Sequence, residues 1–450
     1  MRYSLLLNES MVKTIRFTGA VLAMLGTALA QTPALQGPRP PGPPVTVDLA
    51  GALKLARDYG QQFLQAGIAA ALAHEDRVQA KAAFFPTVAA SSQFAYTQPN
   101  GTASGVFVAN NGEREYIEQA TVHSEVFSFT RLAEFQRTVA AEAAARARQD
   151  VALRGLVATV VQSYYALVTA QRHEVNARRS VEESSRFLDI TRKQERGGEV
   201  ARADVIKAQL QHQQRERDLQ DADTVKRKSR IALGVLLFQN LTQPYDVVDD
   251  LKPDLPLPAE DEVRSLALST SPEIRTAEAG VKEAQAGISV ARSAYYPSFS
   301  LDYFFGIDAN VFALRGPDNV KNLGSVVQAS MTVPVWNWGS TRSKVKQSEL
   351  LRRQAGQDVT FARRGLELNL NSFYLETLAA RAQLESLHSS LDLSQESLRL
   401  TVLRYQAGEA TALEVVDAQS TLALARNGYD DGLARYRIAL ASLDVLTGRF

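Results

Sequence analysis

The chain says the same thing twice. Phe84-Phe85-Pro86-Thr87-Val88 reads aromatic, aromatic, proline, hydroxyl, apolar, and Tyr295-Tyr296-Pro297-Ser298-Phe299 repeats that reading about 210 positions later. Arg196-Gly197-Gly198-Glu199, followed by Asp204-Val205-Ile206-Lys207-Ala208-Gln209, returns at nearly the same offset. There it reads Gln406-Ala407-Gly408-Glu409, followed by Glu414-Val415-Val416-Asp417-Ala418-Gln419. Ser163-Tyr164-Tyr165 has its counterpart in Ser372-Phe373-Tyr374. Separate landmarks that share one offset define a duplicated unit of roughly 200 residues, far longer than the periods of solenoid repeats. Such a chain folds into a pseudo-symmetric body rather than one domain around one active site.

Composition removes several classes of function. Lys and Arg number 50 against 49 Asp and Glu, a net charge of +1, so no electrostatic argument favours nucleic acid or an acidic partner. With no cysteine, a disulfide framework, a thiolate metal site, a cysteine nucleophile and a lipid-bearing cysteine are all impossible. His74, His123, His173, His212 and His388 are scattered and lack zinc-ligand spacing. No phosphate-cradling Gly-Lys-Ser/Thr loop and no nucleophile elbow occur. The expectation is therefore a protein that is not an enzyme and that needs no cofactor and no metal. The lack of a Met- or His-rich tract also weighs against metal-ion export.

The first 30 residues read as an export signal. Lys13 and Arg16 precede an apolar run from Phe17 to Leu29, and Ala28-Leu29-Ala30 supplies small residues for cleavage. Met11 is an alternative start. The apolar run is shorter than the roughly 20 residues of a membrane-spanning helix. Beyond it no apolar run of about 18 residues remains, so any membrane crossing falls to strands. Residues 31–46 hold six prolines and read as an extended linker. A second proline cluster, 244–258, separates a first repeat at 47–243 from a second at 259–450, and Pro253, Pro256 and Pro258 keep a helix from bridging them.

Both repeats share one layout. A helical segment, Asp48 to Ala83 or Glu260 to Ala294, ends at Pro86 or Pro297, because proline excludes helical geometry from the residue before it. A strand of period two follows. Phe299, Leu301, Tyr303 and Phe305 share one face, opposite Ser300 and Asp302. In the first copy Val88, Ala90, Phe94 and Tyr96 oppose Thr87, Ser91 and Gln93. Asn100-Gly101, Asn110-Asn111-Gly112 and Gly316-Pro317 are turn signals. A return strand then leads to Val126-Phe127 or Val335-Trp336. Each hairpin has strands about ten residues long, the length that crosses a bilayer at a tilt. On this pattern alone a half-buried soluble sheet fits equally well, and the export signal favours the membrane.

The period then changes. Arg131 to Arg196 and Thr341 to Gln406 contain no proline, and apolar residues fall on stripes: Val157, Val160, Val161, Tyr164 and Val168, and Leu384, Leu387, Leu391 and Leu398 with Ser394 in the missing step. A helix of roughly 66 residues reaches about 99 Å. Such a rod is stable only when packed along other rods. Gly197-Gly198 and Gly408 break the rods, and second rods run to about Phe238 and Leu446.

Helix, aromatic-Pro, strand hairpin, long helix, glycine tip, long helix, twice over, resembles the TolC-like outer-membrane efflux protein family. Phe85-Pro86, Tyr296-Pro297, Pro334-Val335-Trp336-Asn337-Trp338-Gly339 and the segment Tyr405 to Ala418 carry the likeness, which covers Val47 to Gly448. Each motif is weak alone; their order, repeated at one offset, is specific. The resemblance implies a mostly α chain with a membrane β-barrel portion. It implies a homotrimer in which four strands per chain make a twelve-stranded outer-membrane barrel continuous with a periplasmic helical barrel. Four strands cannot close a barrel, and an open edge in lipid leaves backbone groups unpaired, so closure demands several copies. The number three comes from the resemblance.

The resemblance also implies a passive duct from periplasm to exterior, coupled to an inner-membrane pump through a periplasmic adaptor. The adaptor would grip tips at Gly197, Gly198, Glu199, Gly408 and Glu409. Phe299, Leu301, Tyr303 and Phe305 would face outer-membrane lipid. The matching periplasmic gate residues are Glu414 and Asp417, whose six carboxylates in a trimer would crowd one opening and hold protons more tightly. Tyr405 and Asp204 match a link that holds the family's closed state. Ala410 stands where a basic partner is often found, so a gate held by hydrogen bonds is expected in place of a salt-bridge lock. Phe127-Ser128-Phe129-Thr130 departs from the pattern kept by Trp336-Asn337-Trp338-Gly339, the C-terminal extension of some members is expected to be absent, and without cysteine the barrel alone would anchor the chain. Two other readings stay open. One is an outer-membrane component for polypeptide secretion. The other is a periplasmic coiled-coil scaffold, which accounts for the rods but not for the hairpins.

Overall fold

The computed structural model describes residues 45–98, 113–240, 243–253, 255–316 and 319–449. The export signal, the prolines before Val45, the turn signals at Asn100-Gly101 and Asn110-Asn111-Gly112, and Pro317 lie outside the described residues. In the first repeat, β1 (Val45–Val47), α1 (Leu49–Tyr59) and α2 (Gln61–Ala82) lead into β2 (Thr87–Tyr96) and β3 (Arg114–Ser128). The rods α3 (Phe129–Arg196) and α4 (Arg202–Leu237) follow. In the second, β4 (Tyr245–Val247), α5 (Glu260–Thr270) and α6 (Pro272–Ser293) precede β5 (Ser298–Ala309) and β6 (Leu323–Thr332). The rods there are α7 (Ser340–Gln406) and α8 (Ala412–Thr447).

Two expectations need correction. The single opening helix of each repeat is broken, at Gly60 in one and Ser271 in the other. A Cβ at Gly60 would sit 2.7 Å from both the Ala56 carbonyl and the Leu156 side chain, so only glycine lets the chain turn this close to α3. Pro272 holds Ser271 out of helical geometry, and the Ser271 hydroxyl caps α6 by accepting the Ile274 N–H at 3.3 Å. Within the described residues, the ends of the segments read as linkers also pair with each other and pack on the rods. Val45–Val47 and Tyr245–Val247 pair in parallel. Tyr164 donates its hydroxyl to the Val248 carbonyl at 2.7 Å, and Tyr436 donates to that of Leu255 at 2.7 Å. Rod tyrosines thus satisfy linker carbonyls that proline-rich chain leaves without partners.

The long rods pack along several other helices. α3, 68 residues and about 100 Å long, packs on α2, α4, α6 and α8, while α7 packs on α6 and α8. The stripe Val157, Val160, Val161, Tyr164, Val168 is buried, as are Leu384, Ser394 and Leu398. One window of α3 is long and apolar enough to cross a membrane by length and composition. Its apolar run from Leu156 to Val168 faces the shared helical core instead.

The strands of both repeats form one antiparallel sheet in the order β2-β3-β5-β6. Its register separates two faces. Val88, Val122, Tyr303 and Val327 lie in one row, and Thr87, His123, Asp302 and Gln328 in the next, on the opposite side. Phe299, Leu301, Tyr303 and Phe305 stand on the apolar side, each at least 40% exposed. β2 and β6 each keep one unpaired edge among the described residues. β3 runs to 15 residues, longer than the ten expected, and its pairing with β5 slips between Ser124 and Phe127.

Gly306 makes the join between the repeats possible. A Cβ there would land on the Glu118 carbonyl oxygen and 2.5 Å from the Gln119 Cα, whereas its partner Gly324 faces open space. Gly306→Ala is expected to destabilise the sheet by about 1–3 kcal/mol, the usual cost of overpacking, while Gly324→Ala is neutral. The temperature at which the folded form is lost on a denaturing gel checks this.

Candidate functional site

The two ends of the rods differ in chemistry. At the tips, each helix ends in the same turn. Gly198 and Gly408 both have φ of +77°. The Gly198 N–H donates to the Glu195 carbonyl at 2.9 Å and the Glu199 N–H to that of Gln194 at 2.9 Å. Gly408 donates to Tyr405 at 3.1 Å and Glu409 to Arg404 at 2.8 Å. This is a Schellman closure, in which a left-handed residue lets two N–H groups reach back to the last free carbonyls. Gly197, Gly198, Glu199, Gly408 and Glu409 are all exposed. The two tips lie together around a cleft of about 590 Å³ lined by Val200, Asp204, Lys207, Tyr405 and Thr411 among others.

Tyr405 does not hydrogen-bond Asp204, contrary to expectation. It is 2% exposed, its ring stands edge-on to Phe187 at 5.1 Å, and its hydroxyl donates to Thr191 Oγ1 at 3.4 Å. Asp204 instead faces Lys207 of its own helix at 3.7 Å. The buried aromatic pair fixes the ring where α3 can reach its hydroxyl and α4 cannot. Burial pushes the Tyr405 phenol upward against the smaller effect of Thr191, with the Asp204 charge adding to the rise.

Glu414 and Asp417 are exposed near the start of α8. Glu414 has a local role that its sequence also spells, Thr-x-x-Glu. Thr411 Oγ1 accepts the Glu414 N–H at 3.3 Å, and Glu414 Oε1 accepts the Thr411 N–H at 3.0 Å, a reciprocal capping box. Arg404 lies 3.7 Å from Glu414 and donates to the Glu409 carbonyl at 3.0 Å. A basic partner therefore exists, but before the tip rather than at Ala410. The Thr411 N–H is the main reason that the Glu414 carboxyl sits below its ordinary range, with Thr411 Oγ1 and Arg404 adding to it. Within one protomer the local effect is thus opposite to the crowding expected of a ring.

Three polar contacts missed by sequence reasoning set the placement of α8. Arg426 grips Glu183 of α3 through two bonds of 2.8 and 3.1 Å. Arg172 of α3 joins Asp249 of the inter-repeat segment to Asp430 of α8. Asn176 donates to Asp430 at 2.8 Å. Each pair is separated by tens to hundreds of residues, so no local spacing announces it.

At the other end, aromatic rings gather at both margins of the sheet. Phe127, Phe129, Tyr296 and Phe299 touch at the helix side, with centroids 4.7–6.5 Å apart. Phe94, Tyr116 and Phe312 touch at the far side, 4.9–5.9 Å apart. Phe299 and Ala309, which pairs with Tyr116, mark these levels. They are about 33 Å apart along a strand, or about 25 Å in height at a tilt of about 40°. That is the height of the apolar band of outer-membrane barrels.

Residues 52–237 and 263–449 match the family described as outer membrane efflux protein. The chain is 25% identical over 306 residues to the pyoverdine export outer membrane protein OpmQ of Pseudomonas aeruginosa, which covers 66% of this chain and 60% of that protein. It is 24% identical over 296 residues to the cobalt-zinc-cadmium resistance protein CzcC of Cupriavidus metallidurans, covering 65% and 67%. Among solved structures, the CmeC outer membrane channel of Campylobacter jejuni superposes with a TM-score of 0.77 at 16% identity, covering 89% of this chain and 85% of that one.

The capping box gives a pH test. A carboxyl whose pKa is lowered by folding stabilises above its unfolded pKa, and that contribution fades as pH falls through the lowered value. Hydrogen-exchange protection of amides 411–415, corrected for intrinsic rates, is expected to hold at neutral pH and to decline in acid. Glu414→Ala should lower protection at neutral pH, flatten the dependence and approach the wild type in acid.

Proposed function

The chain belongs to the outer membrane efflux protein family, and from that premise we propose that it is the outer-membrane exit duct of a tripartite export system. Small molecules pass through it passively from periplasm to exterior. The observation that carries this reading is a single one: a four-stranded sheet, apolar on one face and open at both edges, continues directly into helices about 100 Å long. In lipid the open edges of β2 and β6 must find partners, and copies of the same chain supply them. Three copies give twelve strands, well within the range of outer-membrane barrels. The helices then surround a tube in the periplasm.

The chain acts as a conduit, not a catalyst. Energy comes from an inner-membrane pump, and a periplasmic adaptor joins pump to duct at the tips formed by Gly197, Gly198, Glu199, Gly408 and Glu409. Asp204 lines the cleft between those tips. Glu414 and Asp417 would ring the opening and favour cations there. Tyr405 keeps the neighbouring helices closed by packing on Phe187. OpmQ is named for pyoverdine and CzcC for cobalt, zinc and cadmium. Those cargoes share little chemistry but are all small, which favours small solutes over polypeptides and leaves the choice of cargo to the pump.

Conductance in planar bilayers tests this. The purified protein should form discrete channels of low conductance. Tyr405→Phe keeps the ring and should stay near wild type. Tyr405→Ala removes packing worth on the order of 3 kcal/mol and should raise conductance several-fold. Glu414→Gln with Asp417→Asn should reduce the preference for cations at least about two-fold. Absence of channels in the wild-type protein would contradict the proposal.

A further inference from the structure

Both tryptophans of the chain stand at one point, where β6 gives way to α7. Trp336 is 75% exposed and Trp338 89%, and their rings meet edge-on at 5.8 Å. The turn that carries them is unusual. The Ser340 N–H donates to the Asn337 carbonyl at 3.0 Å, with Trp338 at φ 54° and Gly339 at φ 82°. Positive φ suits glycine or asparagine and is uncommon for a bulky aromatic. The fold thus accepts backbone strain to project a large ring that contacts little of its own chain.

Just beyond the turn, α7 opens with Arg342, Lys344 and Lys346, all exposed and without an ion pair among the described residues. The first turn of α7 holds no acid, and Glu349, the first acid on the helix, is engaged by Arg292 at 3.0 Å. Three cations near a helix N-terminus oppose the helix dipole. Among the described residues no carboxylate pairs with any of the three.

The first repeat lacks all of this. There Phe127 and Phe129 pack into the cluster with Tyr296 and Phe299. The positions of Arg342, Lys344 and Lys346 are taken by Ala133, which is buried, by Phe135, whose ring meets Phe84, and by Arg137, which pairs with Glu134. The patch is therefore particular to the second repeat and not a requirement of the shared layout.

We infer that this patch binds anionic phospholipid in the leaflet on the helix side of the membrane, with the tryptophans at the acyl boundary and Arg342 and Lys346, four residues apart on one face of α7, on the headgroup phosphates, while Lys344 on the opposite face adds to the local positive charge. The inference rests on the proposed membrane duct, since it takes the level of the helix-side aromatic margin as the lipid boundary. From the first residue of α7, Arg342 and Lys346, which share a face, lie about 3 and 9 Å along the helix, with a mean near 6 Å. That matches the roughly 5–8 Å depth of the headgroup layer on each side of a bilayer. Charge complementarity and continuity with the apolar strand face fix the occupant as lipid. Tryptophan is the residue suited to that boundary.

With no other tryptophan present, intrinsic fluorescence reads this site directly. The full-length protein would be reconstituted into vesicles containing equal fractions of acyl-brominated phosphatidylglycerol or acyl-brominated phosphatidylcholine. At low salt, quenching should reveal an association with phosphatidylglycerol at least about five-fold stronger, the effect of one cation at a membrane surface. The preference should shrink in high salt. Arg342→Gln with Lys344→Gln and Lys346→Gln should abolish the preference while leaving quenching by both lipids. Lys344→Arg with Lys346→Arg, which keeps the charge, should retain it. Equal quenching of the wild type by the two lipids, or an unchanged preference in the glutamine variant, would overturn the inference. Quenching by neither lipid would instead remove the membrane duct on which it rests.

Discussion

An unpaired strand edge has no place in lipid. A backbone N–H or C=O that meets hydrocarbon without a partner costs several kcal/mol, and β2 and β6 each present a row of them. The sheet cannot resolve this by curling on itself, because four strands are too few to enclose a barrel. The constraint therefore reaches beyond one chain. It calls for identical neighbours, and once neighbours stand around a common axis their rods must stand around it too. The length of α3 and α7 follows from the same logic. Rods about 100 Å long are of no use to a compact domain, but side by side they wall a conduit across a wide compartment.

Duplication supplies most of this architecture cheaply, and its departures from symmetry fall where function is proposed. The two tips close with the same Schellman turn. The helices that leave them do not start alike. α4 follows Ala201, which gives no side-chain cap, whereas α8 begins with the Thr411–Glu414 capping box and has Arg404 beside it. The second tip is thus the more firmly fixed of the two. In the middle of the rods, the inter-repeat segment is bound from both sides. Arg172 and Tyr164 of the first repeat and Tyr436 and Arg437 of the second all reach it. Arg437 spans Tyr165 at 2.7 Å and Asp250 at 3.2 Å. A stretch that looks like a spacer is therefore the clasp between the halves.

Much of this was legible before any coordinates. The shared offset, the glycine tips, the two-residue period of the hairpins and the apolar stripes of the rods each reflect a local rule of backbone or burial, and local rules are written in adjacent residues. Phe299, Leu301, Tyr303 and Phe305 fell on one face for that reason. What escaped depended on partners far apart in sequence. Proline density at 31–46 and 244–258 hid the pairing of Val45–Val47 with Tyr245–Val247, because pairing is decided by what lies alongside. The Tyr405–Asp204 link failed because the burial of Tyr405 against Phe187 decides where its hydroxyl points. The capping role of Glu414 is a local signal, written in Thr411-x-x-Glu414.

The central claim is that one polypeptide holds a fraction of a barrel and that copies complete it. Electron microscopy of the full-length protein purified in detergent tests this most directly. The account predicts a threefold particle in which β6 of each protomer pairs with β2 of the next around a closed barrel, with a helical tube projecting from one end. A monodisperse monomer that stays dissolved without detergent, with both sheet edges free, would contradict it.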